Sequence, residues 1–216
     1  AMGMTLAGAS SIPSVVAEHS RLAVATGRRA VAIAWEELKP SRLLTASSFD
    51  NAIITQLTIG GSTNAIVHII AMAGRAGIRI TMGDFDRWSK QIPVLADLRP
   101  SGRFLMEDFH NAGGLRALHA RLQEELHLDA RTIEGGTLGE QIRGATSIDD
   151  EVIRTRDNPL WPTGGTCLLR GNLAPDGCVV KIVAAEKRLL HHRGPALVFD
   201  HYADLKKQID DPDLPV

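Results

Sequence analysis

The sequence predicts an α/β protein that is rich in helices at first and rich in strands afterwards. Apolar residues in the first 126 positions recur at helical spacing. Residues 159–165 are rich in proline and glycine, which is typical of a boundary between domains. Short apolar runs with β-branched residues follow that boundary. We therefore predict two unlike parts, a helix-rich α/β layer at residues 1–158 and a β-rich part at residues 159–216.

The predicted elements of the first part are mainly helices bounded by turn residues. Pro13 suits a first helical turn, where its missing N–H does no harm. Gly27 weakens the first helix, so two shorter helices are an alternative. Thr45 or Ser47 can cap the second helix. The predicted helices cover residues 14–38, 46–57, 62–74, 85–91, 107–126 (interrupted at Gly113-Gly114) and 137–142, with a strand at 77–80 and an extended run at 93–98.

The third predicted helix is apolar on nearly every side, and we therefore predict that it is deeply buried. Its apolar residues are Ala65, Ile66, Val67, Ile69, Ile70 and Met72. His68 lies among them and is predicted to be a core histidine with a hydrogen-bond partner.

Two glycines, Gly60 and Gly61, precede this helix, and Ser62, Thr63 or Asn64 can cap it. Adjacent glycines tolerate positive φ angles and let a ligand or another backbone come close. The N-terminus of a buried helix can hold a carboxylate or a phosphate. Two interpretations stay open: a capped junction between two core helices, and a substrate-binding wall built from these five residues.

Further candidate binding residues follow the extended run. Arg99 and Arg103 flank a Pro-Ser-Gly turn that contains Ser101, and two arginines at such a turn can bind an acid or a phosphate. The alternative is a solvated turn. His110 follows two acidic residues and is either a site residue or a structural histidine.

The last part of the chain has the pattern of short strands. Strands at residues 166–170 and 178–183 are joined by a turn that ends in Asp176-Gly177, a typical hairpin dipeptide. A third strand is predicted at residues 195–199, followed by a helix at 202–209 and a polar tail at 210–216.

Composition limits the possible partners. A net charge of −1 and only 4% aromatic residues argue against a nucleic-acid surface. No run is long enough to span a membrane and the first residues lack a signal-peptide pattern, so we expect a cytoplasmic protein. Cys167 and Cys178 lie in apolar runs and are predicted to be structural thiols. Two cysteines cannot complete a zinc or iron–sulfur site, although His191 and His192 can in principle assist.

Several blocks of the sequence match a known family. The blocks are residues 3–6, 10–13, 51–53, 60–65, 96–103, 106–108, 112–114, 171–177 and 194–200. In this order they extend over nearly the whole chain, which resembles the dihydroxy-acid dehydratase and phosphogluconate dehydratase family. Residues 157–162, 171–173 and 210–214 are most similar to its sugar-acid (aldonate) branch.

The resemblance implies a hydro-lyase that converts a 2,3-dihydroxy carboxylate, such as a sugar acid, to a 2-keto acid. It implies an iron–sulfur cluster that polarises the departing hydroxyl group, a magnesium ion that orients the substrate, and a serine alkoxide that removes the C2 proton. It also implies a homo-oligomer, either a dimer or a tetramer. Residues 1–158 then correspond to the C-terminal part of an α/β domain, and residues 159–216 to the beginning of a β-rich, barrel-like domain.

None of the family's catalytic or metal-binding residues can be assigned to this chain, because their motifs fall before residue 1 or after residue 216. We therefore expect an internal piece of the enzyme, which binds no cofactor by itself and is inactive alone. The alternative function is a non-catalytic binding or interaction module that retains the dehydratase framework. The remaining candidates for substrate binding are Gly60, Gly61, Ser62, Thr63, Asn64, Arg99, Ser101, Arg103 and His110.

Overall fold

The computed structural model describes residues 1–213 and divides into two compact units, Ala1–Ala184 and Ala185–Val216. The structure is rich in helices and contains one two-stranded sheet within the described residues, which is consistent with the α/β class. The domain boundary at residue 158 and the barrel-like character of the last part stay predictions. The predicted polar tail lies partly outside the described residues.

The helices and strands alternate with loops and short 3-10 turns. In chain order they are α1 (Ala17–Trp35), α2 (Ala46–Thr58), α3 (Asn64–Arg75), α4 (Met82–Ser89), α5 (Met106–Asn111), α6 (Gly114–Arg121), α7 (Leu138–Ile142), β1 (Cys167–Leu169), β2 (Cys178–Val180) and α8 (Tyr202–Gln208). Each predicted helix is therefore present and Gly27 does not divide the first, although α1 is shorter than predicted, α4 begins at Met82 instead of residue 85, and α6 ends at Arg121 instead of residue 126.

Local hydrogen bonds explain where α2 and α7 begin. The Thr45 side chain accepts a hydrogen bond from the Ser48 N–H, and the Ser48 hydroxyl lies 2.9 Å from the Thr45 N–H, so the two residues form a capping box at α2. The same arrangement of Thr137 and Glu140 begins α7. Side-chain caps of this kind satisfy N–H groups that a helix start leaves without partners.

Two predicted strands are wrong. Helix α3 ends at Arg75, Gly77 then has a φ of 74°, and the Ile78 N–H donates back to the Ala73 carbonyl, so residues 77–80 form a turn and a loop instead. These bonds take the N–H groups of Gly77 and Ile78, and the side chains of Ile78 and Ile80 pack against the core. Residues 195–199 form no strand either, within the described chain.

The core is built around α2, which packs against α3 and α4. Phe49, Ile53, Ile54 and Leu57 of α2 are fully buried. Loops that follow α4 and α6 add further buried apolar side chains to this cluster. Burying one such side chain stabilises a fold by about 1.5–3 kcal/mol relative to leaving it in water. Helix α2 therefore holds the large unit together and positions the turn that follows it.

Helix α3 is amphipathic, and the prediction that it is buried on all sides is wrong. Ile66, Ile69 and Ala73 form its buried face, whereas Val67 is 66% exposed. His68 is exposed too, so it is not a core histidine. The helix packs on one side only, and residues at positions i, i+3 and i+7 are the ones that reach this side.

The two-stranded sheet confirms the predicted hairpin. Strands β1 and β2 are antiparallel, with Leu168 paired with Val179. Gly177 has a φ of 101°, and a methyl group there would lie 3.0 Å from the Leu168 side chain. The turn therefore needs glycine for its conformation and for space. In the small unit, the described residues form the 3-10 turn Lys187–Leu189 and α8.

Helix α1 lies on the surface of the large unit and has no buried residue. Val31 is 61% exposed and Trp35 is 85% exposed, and both lie on the same face as Val24. Arg29, on the opposite side, donates to the Ile133 carbonyl and pairs with Glu36 at 2.6 Å. No helix within residues 1–213 combines the length and the apolar character that a membrane span requires.

We expect the exposed apolar face of α1 to make the 216-residue chain associate with itself, because exposed apolar patches of this kind mark interaction surfaces. The double substitution Val31→Gln and Trp35→Gln should lower the binding of the dye ANS and reduce association measured by light scattering. Thr26→Gln, at an exposed polar position of the same helix, serves as the control. Unchanged dye binding and mass in the double variant would contradict this prediction.

Candidate functional site

The turn between α2 and α3 is a close-packed glycine turn. Gly60 has a φ of 57°, and the N–H groups of Gly60 and Gly61 donate to the carbonyls of Leu57 and Gln56. A methyl group on Gly165 would lie 2.9 Å from the Gly60 Cα, so two backbones approach each other here. The glycines therefore serve this local conformation and this contact.

The first N–H groups of α3 already have partners within the chain. The Asn64 N–H donates to the Ser62 hydroxyl at 3.3 Å, whereas Thr63 is the N-cap residue of α3 and its side chain makes no capping hydrogen bond. The N–H groups of Ala65 and Ile66 donate to the carbonyls of Ser62 and Thr63, and the Gln56 amide donates to the Ser62 carbonyl at 2.8 Å. This geometry matches a capped junction, because it leaves few donors for an anion. A binding role for Ser62, Thr63 and Asn64 stays a prediction.

The loop from Arg99 to Arg103 is organised by Asp97, which is only 4% exposed. Its carboxylate accepts hydrogen bonds from the Arg103 backbone N–H at 2.9 Å and from Arg103 Nε at 2.6 Å. Arg103 also pairs with Glu151 at 2.7 Å. The hydrogen bonds to Glu151 and Asp97 raise the pKa of the Arg103 guanidinium. The charge of Arg103 is therefore already paired with two carboxylates of the chain.

Arg99 differs from Arg103 because it has no carboxylate partner within the described residues. Its side chain is exposed, and Arg99 Nε donates to the Arg103 carbonyl at 3.1 Å. Of the two predicted arginines, Arg99 is the one able to meet an anion without breaking an ion pair.

The two predicted stretches meet at one small cavity. Gly60 from the α2–α3 turn and Ser101 from the arginine loop both line a space of about 60 Å³, together with Asp97 and Gly102. The Ser101 hydroxyl is buried and has no hydrogen-bond partner. The remaining wall is largely apolar and includes Val94, Leu160 and Val183. The cavity thus combines an apolar wall with two polar groups.

His110 does not join this cavity. It lies on α5, where its Nε2 is 3.3 Å from the Glu18 carboxylate on α1. A contact between two surface helices is a sufficient structural role for such a histidine. A role of His110 in substrate binding stays a prediction, and the Glu18 carboxylate would compete with a substrate for its ring.

His119 is the titratable residue that the sequence did not single out. It is 2% exposed, and its Nε2 lies 2.9 Å from the Thr55 hydroxyl, which itself donates to the Asn51 carbonyl. Because that hydroxyl proton is already used, His119 Nε2–H is the donor in this pair. Burial, with the positive N-terminus as a second cause, lowers the pKa of His119 to about 3. His119 is therefore neutral at pH 7.

Asn51 belongs to one of the sequence blocks that resemble the family, and its hydrogen bonds give it a structural role. Its side-chain amide donates to the His127 carbonyl at 3.0 Å, and its side-chain oxygen accepts from the His127 N–H at 2.8 Å. Asn51 is fully buried, so both bonds replace contacts with water. The residue fixes a loop against α2, which is a structural role.

The donors present do not fit a metal cluster. Within residues 1–213, no group of three or more histidine, cysteine, aspartate or glutamate side chains is placed to hold a metal ion. Cys167 pairs with Val180 and Cys178 with Leu169, so the two thiols are not opposite each other in the sheet. Burial raises the pKa of the Cys167 thiol, which disfavours the thiolate that ligates metals.

Comparison with known proteins gives consistent matches along the chain. The model of the dihydroxy-acid/6-phosphogluconate dehydratase N-terminal region matches residues 1–141, and the model of the C-terminal region of the same group matches residues 151–214. A putative dehydratase IlvD1 of Rhizobium meliloti (strain 1021) is 47% identical over 216 residues, which are 100% of this chain and 38% of the relative.

Two further relatives carry names that state a substrate. The 6-deoxy-6-sulfo-D-gluconate dehydratase of Pseudomonas putida is 47% identical over 219 residues. The L-arabinonate dehydratase of Rhizobium leguminosarum bv. trifolii (strain WSM2304) is 43% identical over 218 residues. Both alignments cover 100% of this chain and 38% of the relative. The chain thus spans less than half the length of the curated relatives that it matches.

Proposed function

Because the chain belongs to the dihydroxy-acid/6-phosphogluconate dehydratase family, we propose that it forms the scaffold and part of the substrate wall of a hydro-lyase. The reaction removes water from a 2,3-dihydroxy carboxylate and gives a 2-keto acid. The observation that carries this proposal is the 43% identity, over the whole chain, to a relative named L-arabinonate dehydratase. A sugar acid is the substrate class that we propose.

In this proposal, the residues of the chain bind the substrate and orient it. Gly60 lets the backbone come close to the cavity, and Ser101 offers a hydroxyl to a ligand there. Arg99 is placed to meet a negative charge. Arg103 acts through Asp97 by holding the loop in position. No proton transfer is assigned to a side chain of this chain.

The intact enzyme in this proposal uses an iron–sulfur cluster and magnesium, both held by residues outside this chain. The described residues supply no group of three or more histidine, cysteine, aspartate or glutamate side chains that could hold either of them. A β-rich, barrel-like domain that begins near residue 159, and a homo-oligomer in the cytoplasm, complete the proposal. The exposed apolar face of α1 supports the oligomer, and a content of two cysteines suits a reducing compartment.

A chimera tests the proposed function directly. The segment of the L-arabinonate dehydratase that aligns with this chain over 218 residues is replaced by the 216-residue sequence. We expect the chimera to form a 2-keto acid from L-arabinonate or another aldonate, measured as the semicarbazone. The 216-residue chain alone is expected to give no product.

The control is the relative carrying its own segment through the same junctions. A chimera that matches this control in circular dichroism and mass but forms no 2-keto acid, from any aldonate or branched 2,3-dihydroxy acid, would contradict the proposal. That result would favour the non-catalytic binding module instead.

A further inference from the structure

We propose that the cavity lined by Gly60, Asp97, Ser101 and Gly102 is a subsite for the hydroxylated tail of a polyhydroxy acid. This inference rests on the proposed function and specifies which part of the substrate the chain contacts. Its ligand is a neutral carbon that bears a hydroxyl group. The carboxylate end of the substrate lies elsewhere.

The first argument is the unsatisfied hydroxyl of Ser101. Its oxygen is buried and has no partner within the described residues. Most buried polar side-chain atoms in folded proteins have a hydrogen-bond partner, so an exception next to a cavity indicates a missing one. A hydroxyl can donate one hydrogen bond and accept two, which suits a hydroxyl ligand.

The second argument is the size and lining of the cavity. A volume of about 60 Å³ admits more than one water-sized group, which is enough for a short hydroxylated segment. Val94, Leu160 and Val183 offer apolar contacts on one part of the wall. A carbon of a polyol presents C–H groups and a hydroxyl group together. The cavity presents matching partners for both.

The third argument is the hydrogen-bond acceptor capacity of Asp97. Its carboxylate is fixed by two bonds from Arg103, at 2.9 and 2.6 Å, and an ionised carboxylate retains further acceptor sites. A ligand hydroxyl can donate to such a site. Arg103 and Arg154, whose Nη2 lies 3.9 Å from Asp97 Oδ2, offset the charge of Asp97, but a ligand carboxylate has no proton to donate to this acceptor. The cavity therefore selects a hydroxyl group against an anion.

The proposed subsite should distinguish two kinds of dihydroxy acid. The distal carbons of an aldonate carry hydroxyl groups that can pair with Ser101 and Asp97, whereas a branched aliphatic acid leaves both without a ligand partner. A site with buried polar groups rejects an analogue that cannot pair with them. Ser101 is thus the residue to which we assign the preference for the hydroxylated tail.

Nuclear magnetic resonance on the 216-residue chain tests the subsite without any turnover. Xylitol, L-arabinonate and acetate are titrated separately while the backbone amide signals are followed. We expect xylitol and L-arabinonate to shift the signals of Gly60, Ser101 and Gly102, and acetate to leave them unchanged. Ser101→Ala should weaken the xylitol effect at least tenfold.

Ser14→Ala, at an exposed serine distant in sequence, is the matched control and should bind xylitol as the unmodified chain does. Val183→Leu fills the cavity from a partly exposed position and should also abolish the effect, so the test does not depend on one variant. Absence of xylitol shifts at these signals, or equal shifts with acetate, would overturn the subsite. An inactive chimera would overturn the proposed function and leave the subsite standing.

Discussion

Replacing Gly102 with alanine is expected to lower the free energy of unfolding by about 2–4 kcal/mol, one of the largest effects of any single methyl group in this chain. The added carbon would lie 2.4 Å from Asp97 Oδ1 and 2.6 Å from both the Asp97 carbonyl carbon and the Leu98 nitrogen. Backbone atoms cannot rotate away as the end of a flexible side chain can. The loop must therefore move, and the bonds from Arg103 to Asp97 must stretch.

The measurement is urea unfolding followed by circular dichroism at neutral pH. The control is Gly27→Ala in the middle of α1, where an added methyl group meets nothing within 4 Å. Alanine there should raise the free energy of unfolding by about 0.5–1 kcal/mol, because glycine is a poor helix former. Equal stabilities for the Gly102 and Gly27 variants would show that the loop does not follow the described path.

The Gly102 variant also connects stability with the site. Gly102 lies next to Ser101 in the cavity lining, and its neighbour Arg103 holds Asp97. A shift of this loop displaces the serine hydroxyl and the carboxylate together. We therefore expect the polyol effect on the amide signals to disappear in the same variant, even under conditions where it remains folded.

Short-range signals made most of the helices predictable. Thr45 with Ser48, and Thr137 with Glu140, are local pairs whose chemistry depends on three residues of spacing and not on the rest of the fold. The hairpin turn at Gly177 is local in the same sense. For such elements, neighbouring residues in the sequence determine the local conformation, so the prediction from the sequence agrees with the structure.

Burial and strand pairing depended on neighbours that the sequence does not show. Counting apolar residues could not reveal that α3 packs on one side, with Ile66 buried and Val67 exposed. Ile78 and Ile80 predict a strand after Gly77, yet the Ile78 N–H donates to the Ala73 carbonyl and no strand among the described residues pairs with this run. Tertiary context decided both cases.

The cavity shows why only parts of the candidate site were predictable. Gly60 and Ser101 were each selected for local chemistry, and nothing in their spacing indicates that they share one wall. The sequence also could not show that Arg103 is committed to Asp97 and Glu151, or that the Ser101 hydroxyl lacks a partner. His119 carries no signal in the sequence, because the main cause of its lowered pKa is burial, which only the fold creates.

Acidification is expected to destabilise the large unit through His119. Its pKa is about 3 in the folded chain, against 6.5 for an ordinary histidine, because burial disfavours the charged ring. The unfolded chain therefore binds the proton first as the pH falls. The stability due to the neutral ring is complete above about pH 6.5 and is lost progressively between about pH 6.5 and pH 3.

The magnitude follows from the linkage between proton binding and folding. Each pH unit in that interval costs about 1.4 kcal/mol, so a fall from pH 7 to pH 4.5 should cost about 2–3 kcal/mol from this residue alone. Carboxylates add their own loss at low pH, so a variant is needed to isolate the histidine. His119→Gln keeps a donor for the Thr55 hydroxyl and cannot titrate in this range.

Urea unfolding between pH 7 and pH 4.5 should therefore show a shallower loss of stability for His119→Gln than for the unmodified chain. At pH 7 the variant should be the less stable of the two, because glutamine fills the imidazole space incompletely, and the two curves should converge as the pH falls. His68→Gln, at an exposed position of α3, should leave the slope unchanged. Parallel curves for His119→Gln and the unmodified chain would mean that the ring already accepts a proton in the folded state, which its burial beside Thr55 disfavours.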